Sequence, residues 1–332
     1  MSQTVLVTGG SGFVAGWTIV ELLRRGYEVR TTVRHMAKEA AVRRAVAPQV
    51  DADERLSVVA ADLTADAGWD AAAAGCQYVL HIASPMGAAG LSEDELIAAA
   101  RDGTLRVLRA AVAAGVTRIV ATSSTAACTP PKPMDRAIDE HDWTDPDEPG
   151  LAAYRRSKTL AERAAWEFMA GQPTTFATLL PGAIFGPVLA REHLSSVGIL
   201  KRLLEGEPPA LPRLGFNVTD VRDLAQMHVA AMTSEAAASE RFIVLGEALW
   251  YAEIAQTLRE RLGAAAAKVP TANMPDIVAK GLAVASPQMK ALLPLLGRTQ
   301  KFSADKARRV LGYAPRPARD TVSDAGASLV AA

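Results

Sequence analysis

Through the first half of the chain, short apolar and β-branched runs alternate with longer segments whose apolar positions recur every three to four residues. Val5-Leu6-Val7 ends in Thr8-Gly9-Gly10-Ser11-Gly12, and Phe13 to Arg25 then carries Val14, Ile19, Leu22 and Leu23 at helical spacing before stopping at Gly26. The same pattern predicts strands over 27–34, 56–62, 78–84, 118–124 and 174–180. It predicts helices over 38–47, 91–114 and 151–170, with a proline- and acid-rich loop at 130–150. Nearly uninterrupted apolar strands alternating with helices imply a doubly wound parallel sheet covered on both faces, an α/β architecture. Beyond 183 the pattern loosens. Helical apolar segments at 197–204, 254–262 and 277–296, broken by Pro/Gly turns, predict a smaller, mostly helical cap over 183–212 and 247–332. Strand-like Arg241–Leu245 suggests that 213–246 returns to the first domain, 1–182.

Composition narrows the class. The 332 residues are 49% hydrophobic, enough for a full core, and 36 basic residues balance 36 acidic ones with no like-charged run longer than a pair or two. That leaves no electrostatic footprint for nucleic acid or an anionic membrane. Two cysteines, Cys76 and Cys128, exclude a disulfide framework and a cysteine metal cluster, and no histidine has ligand spacing, so no metal is assigned. The chain opens without a basic leader, and 281–297 is broken by Pro287, Lys290 and Pro294. The expectation is a cytoplasmic protein, monomer or homodimer, whose partner is a small molecule.

Gly9, Gly12 and Ala15 follow a strand and open a helix, spaced G-x-x-G-x-x-A. A pyrophosphate can approach backbone amides there only if no side chain intervenes, and the helix dipole favours its charge. In a βαβ context this is a Rossmann-type dinucleotide loop. Ala15 stands where a third glycine often sits. Twenty-two residues after Gly12, at the end of the second strand, Arg34 takes the place of the carboxylate that binds a ribose 2′-hydroxyl, and Lys38 lies one turn on. Arginine there suits a 2′-phosphate, so the expected cofactor is NADP(H). Asp62-Leu63 falls where an adenine contact would lie, although a helix N-cap fits the spacing equally well.

Tyr154 and Lys158 stand at i and i+4 on one helix face. A phenol of pKa about 10 is a poor acid near neutrality, and an adjacent ammonium should lower that value toward the working range. Thr122-Ser123-Ser124 closes the fifth strand, at the carboxyl edge where open parallel sheets bind ligands. Together, Thr8–Val14, Arg34, Thr122–Ser124, Tyr154-x-x-x-Lys158 and Pro181-Gly182 resemble the extended short-chain dehydrogenase/reductases. Val33-Arg34, His81–Met86, Asp139-Glu140, Asp220–Ala225 and Phe302–Gly312 are similar to its dihydroflavonol 4-reductase-like branch, which includes aldehyde and ketone reductases.

The resemblance implies Ser124 as the carbonyl-binding hydroxyl, with Ser123 competing, Tyr154 as general acid and Lys158 as its partner. It implies cofactor contacts from Gly9, Gly12, Phe13, Val14, Arg34, Lys38, Asp62, Leu63, Ala83, Ser84, Thr122, Tyr154, Lys158, Pro181, Gly182 and Ile184. Pro85, next after Ser84, would flank the cofactor at the fourth strand's end. Substrate contacts are expected from Met86, Ser124, Thr125 and Tyr154. The implied reaction is NADPH-dependent reduction of a ketone or aldehyde. The rivals are a nucleotide-sugar epimerase or dehydratase and a non-catalytic NADP-binding sensor. His81, on an apolar strand, reads as a satisfied core histidine, and Arg191, His193 and Arg202 as a solvated face. From Gly263 to Gly297 there is no aromatic residue, which favours a compact carbonyl substrate.

Overall fold

Seven short runs pair into one parallel sheet: β1 (Thr4–Val7), β2 (Glu28–Val33), β3 (Leu56–Ala60), β4 (Tyr78–His81), β5 (Arg118–Thr122), β6 (Thr175–Pro181) and β9 (Glu240–Val244). Their order is β3-β2-β1-β4-β5-β6-β9, so the winding direction reverses between β1 and β4. That reversal opens a crevice at the carboxyl edge, where ligands of such sheets bind. The computed structural model describes residues 3–85, 92–132, 134–190, 194–285 and 293–331, with the side chains of Asp53, Ala285 and Pro294 excepted.

The helices between strands follow the apolar spacing. Helix α1 (Phe13–Arg24) buries Trp17, Ile19, Val20, Leu22 and Leu23, and α2 (Glu39–Val46) buries Val42 and Val46. A short α3 (Trp69–Ala73) precedes β4. Helix α4 (Glu93–Ala113) starts two residues later than the apolar pattern suggests, because Ser92 caps it. The Glu95 N–H donates to Ser92 Oγ at 3.3 Å and the Ser92 N–H to Glu95 Oε2 at 2.8 Å, a reciprocal pair of cap bonds. Helix α5 (Ala153–Met169) packs along α4. Trp69, Val79, Leu108, Ile119, Ala165 and Phe176 form one buried apolar cluster among these elements.

The chain divides into two compact units. The first comprises 1–181, 222–244 and 303–313, and the second 182–221, 245–302 and 314–332. Besides Gly182 and residues 245–246, which fall in the second unit, two longer stretches differ from the sequence expectation. Residues 213–221 join the second unit because β8 (Gly215–Asp220) pairs with β7 (Ala183–Phe185) and β10 (Ala248–Trp250) in a separate three-stranded sheet. Residues 303–313 join the first, where the Ser303 N–H donates to the Ile138 carbonyl at 2.8 Å. Helices α6 (Gly198–Leu204), α8 (Tyr251–Leu262), α9 (Asp276–Ala285) and Ala318–Val330 complete the second unit, and α7 (Val221–Thr233) lies almost wholly in the first. Among the described residues, no helix is long and apolar enough to cross a membrane.

Candidate active site

Beyond β1, the chain turns sharply at Gly9, whose φ of 78° favours glycine. A Cβ at Gly9 would lie 3.1 Å from both Ala83 Cα and Ala83 Cβ, so a side chain here would crowd the loop after β4. The Gly9 N–H donates to Thr32 Oγ1 at 2.9 Å and the Gly10 N–H to the Thr32 carbonyl at 2.8 Å, fixing the turn against β2. Gly10 is tighter still. Its Cβ would fall 2.7 Å from Thr31 Cγ2 and closer to Thr31 Oγ1, a hydroxyl already donating to the Val7 carbonyl at 2.7 Å. Gly10→Ala should therefore lower stability by about 1–3 kcal/mol in urea unfolding; an unchanged midpoint would contradict this packing.

Gly12 is the N-cap of α1 in an extended conformation, with no side-chain cap bond. Phe13 and Val14 form the first turn, whose N–H groups have no intrahelical acceptor. Phe13 is buried and Val14 half-buried. Arg34 follows the end of β2, and Lys38 closes a 3₁₀ turn over Met36–Lys38; both are exposed. Asp62 forms an Asx turn, accepting at Oδ1 from the Thr64 N–H and hydroxyl, each at 2.9 Å. It does not cap α3, whose N-cap is Gly68. The Thr64 N–H chiefly holds the Asp62 carboxyl below its ordinary pKa, with smaller help from the Thr64 hydroxyl, Arg34 and His35. Leu63 packs against the apolar cluster and lies under Gly103.

Thr8 joins this loop to β4. Its Oγ1 accepts from the N–H groups of Ile82 (3.0 Å) and Ala83 (2.9 Å) and lies 3.0 Å from His81 Nδ1. His81 Nε2 lies 3.2 Å from Thr104 Oγ1, whose proton goes to the Ala100 carbonyl. These bonds assign His81 as neutral, accepting at Nδ1 and donating at Nε2. Burial, with a smaller contribution from Lys158, depresses its pKa to about 3.

The catalytic candidates meet beyond β5. Ser124 caps a 3₁₀ turn (Thr125–Ala127), accepting the Ala126 N–H at 3.1 Å, and its hydroxyl acts on the Tyr154 phenol. Ser123 turns the other way, donating to Glu162 Oε2 at 2.5 Å. Thr122 Oγ1 lies 2.7 Å from His228 Nε2, whose Nδ1 donates to the Leu224 carbonyl at 2.8 Å. Thr125 Oγ1 donates to the Pro181 carbonyl at 3.3 Å.

Lys158 corrects one expectation. Its ammonium donates to the Thr122 carbonyl at 3.3 Å, and the groups that shift Tyr154 do not include it. Burial pushes the Tyr154 phenol upward in pKa, opposed by the Ser124 hydroxyl. The residue as a whole is 38% exposed. Lys158 is pulled down to about 8 by burial, with Glu162 opposing. A cavity of about 30 Å³, room for about one water, lies against Lys158, His81, Thr104, Ser123, Glu162 and Thr178. Ala83 and Ser84 also border it.

Pro181 closes β6, whereas Gly182 and Ile184 belong to the second unit. There the Gly182 N–H donates to Thr219 Oγ1 at 3.1 Å, and the Ile184 carbonyl accepts from Ser196 Oγ at 2.7 Å. Met86, Arg191 and His193 lie outside the described residues. The periodicity gave no sign of the Glu162–Arg241 ion pair, at 2.9 Å, because a glutamate on an amphipathic helix reads as a solvated residue.

A family model described as the NAD dependent epimerase/dehydratase family matches residues 5–246. The chain is 35% identical over 262 residues to cinnamoyl-CoA reductase 1 of Oryza sativa subsp. japonica, covering 78% of this chain and 75% of that protein. It is 33% identical over 269 residues to dihydroflavonol 4-reductase of Zea mays, covering 78% and 74%. Among solved structures, it is similar to Gre2 from Candida albicans in complex with NADPH, with a TM-score of 0.82, 25% identity and 99% of each chain covered.

Proposed function

The chain belongs to the NAD-dependent epimerase/dehydratase family, in the dihydroflavonol 4-reductase-like branch of the extended short-chain dehydrogenase/reductases, and on that premise we propose that it reduces a ketone or aldehyde to an alcohol with NADPH. The observation that carries this reading is the meeting of Ser124 and Tyr154 at the carboxyl edge of β5, with Lys158 one turn further along α5. The first unit is the cofactor domain in this reading, and the second supplies substrate contacts.

The loop fits a dinucleotide. Gly9 and Gly12 leave bare the space that a Cβ would fill, and the start of α1 offers amides to a pyrophosphate. Arg34 and Lys38 present two exposed cations for a 2′-phosphate. The NADPH named for the Candida albicans Gre2 structure supports the same choice. When bound, NADPH supplies the hydride.

The chain's own part is placement and proton supply. Ser124 Oγ, steadied by the Ala126 N–H, hydrogen-bonds the substrate carbonyl oxygen as negative charge develops there. Tyr154 gives its proton to that oxygen. A phenol kept protonated by burial is the donor that reduction needs. Lys158, whose ammonium is turned to the Thr122 carbonyl, would offer its charge to the nicotinamide ribose. Ser123 has its hydroxyl committed to Glu162, which favours Ser124 in the carbonyl-binding role. The curated relatives are named as reductases, which favours this reading over sugar-nucleotide epimerisation.

Arg34→Glu tests the phosphate site. Removing a charge-assisted contact and adding repulsion should lower the ratio of kcat/KM for NADPH over NADH by about 10- to 100-fold. An unchanged ratio would contradict the assignment of Arg34.

A further inference from the structure

Four residues after Lys158 and eight after Tyr154, on the same face of α5, Glu162 is buried with donors on both carboxylate oxygens. Oε1 accepts from Thr178 Oγ1 at 2.8 Å, Arg241 Nε at 2.9 Å and Trp166 Nε1 at 3.3 Å. Oε2 accepts from Ser123 Oγ at 2.5 Å and Arg241 Nη2 at 3.4 Å. Arg241 is held in turn by the carbonyls of Glu140 (2.5 Å) and Asp142 (3.0 Å), and its guanidinium lies 3.7 Å from the centre of the Trp143 ring.

A buried ion pair is a poor device for stability alone, because desolvation can exceed the attraction gained. This pair reaches the reacting end at two points. Ser123 precedes Ser124, the partner of Tyr154, and Lys158 lines the same water-sized cavity as Glu162. The groups facing that ammonium are the neutral His81 from β4, the Thr122 carbonyl from β5, and Glu162 one turn along α5, with Arg241 of β9 behind Glu162. Among the described residues, Glu162 is the anion that acts on Lys158.

We propose that Glu162, clamped by Arg241, is a positioning residue for the reaction: it ties down the end of β5 through Ser123 and supplies the negative charge that faces the buried Lys158 ammonium. This rests on the catalytic reading of Tyr154 and Lys158. Removing the carboxylate charge should let burial drive the lysine further down, and removing the guanidinium should let the unscreened carboxylate raise it.

The test titrates Lys158 directly in ¹³C-lysine-labelled protein without cofactor, following the Cε resonance that Lys158→Met removes. The wild-type midpoint is expected near 8. Glu162→Gln should lower it by about one pH unit or more, Arg241→Met should raise it, and Glu162→Asp should leave it in place. Each charge-removing single variant leaves a buried charge unpaired, so the double variant Glu162→Gln/Arg241→Met decides where they do not fold. Its midpoint falls, as in Glu162→Gln. The alkaline limb of kcat/KM for ketone reduction should move with the midpoint, giving Glu162→Gln a loss of about fivefold or more at pH 8 and little loss at pH 6. A midpoint that stays put in Glu162→Gln or in the double variant overturns the proposal. Turnover that survives Tyr154→Phe overturns the functional reading instead, whatever the lysine midpoint does.

Discussion

Phenylalanine at position 154 is expected to lower kcat/KM for NADPH-dependent carbonyl reduction by about 10²- to 10⁴-fold, the range that a positioned general acid contributes. The substitution removes one hydroxyl and keeps the ring. With 38% of the residue exposed, it opens little void, and Ser124 keeps its bond to the Ala126 N–H. Stability should change by only about 1 kcal/mol, the net worth of one hydrogen bond. Steady-state kinetics beside a urea melt separate the two effects. A variant with wild-type turnover would remove Tyr154 from the mechanism. A variant that lost turnover by unfolding would reveal a structural role.

Acid should weaken the fold through two histidines that the mechanism does not use. His81 and His228 are buried, and burial depresses their pKa values to about 3 and about 4. In the unfolded chain each titrates near 6.5. Above pH 7 both states are neutral and the full stability is present. As pH falls from 6.5 toward 4, the unfolded chain takes up protons that the native imidazoles refuse, so stability is lost across that window. At pH 5 each histidine accounts for about 2 kcal/mol of the loss, about 4 together. Urea unfolding at pH 8 and pH 5 measures the sum, and His228→Gln should remove about half of the difference. Parallel pH profiles for wild type and variant would mean that His228 titrates normally in the fold.

The sheet was legible because most of its strands carry short apolar or β-branched runs between helical segments, and the dinucleotide loop because Gly9 and Gly12 sit between a strand and a helix. Strand β9 was legible as Arg241–Leu245. Three strands were not. β7 and β10 have three residues each, too few to display a period, and β8 carries Asn217, Thr219 and Asp220 among its apolar positions. They form the separate sheet that moves 213–221 into the second unit.

At the site, spacing placed Tyr154 and Lys158 on one helix face but not the direction of the ammonium, which bonds the Thr122 carbonyl. The sequence expectation that lysine would acidify the phenol therefore fails, and burial acts in the opposite sense. The choice between Ser123 and Ser124 was equally closed to spacing, because it turns on Glu162, 39 residues away from Ser123. Glu162 and Arg241 look like ordinary surface charges in the sequence. They become a site only when α5 and β9 bring them together.

The most direct measurement is NADPH consumption with product identification across aryl ketones, β-keto esters, aliphatic aldehydes, flavonoids and acyl-CoA thioesters. The account predicts that at least one of the ketone or aldehyde classes is converted with stoichiometric NADPH oxidation to a product carrying two additional hydrogens at the former carbonyl, whereas a thioester would instead release CoA and give the aldehyde. It predicts that the same conversion is lost with Tyr154→Phe. Protein that binds NADPH yet oxidises it with none of these classes would contradict it.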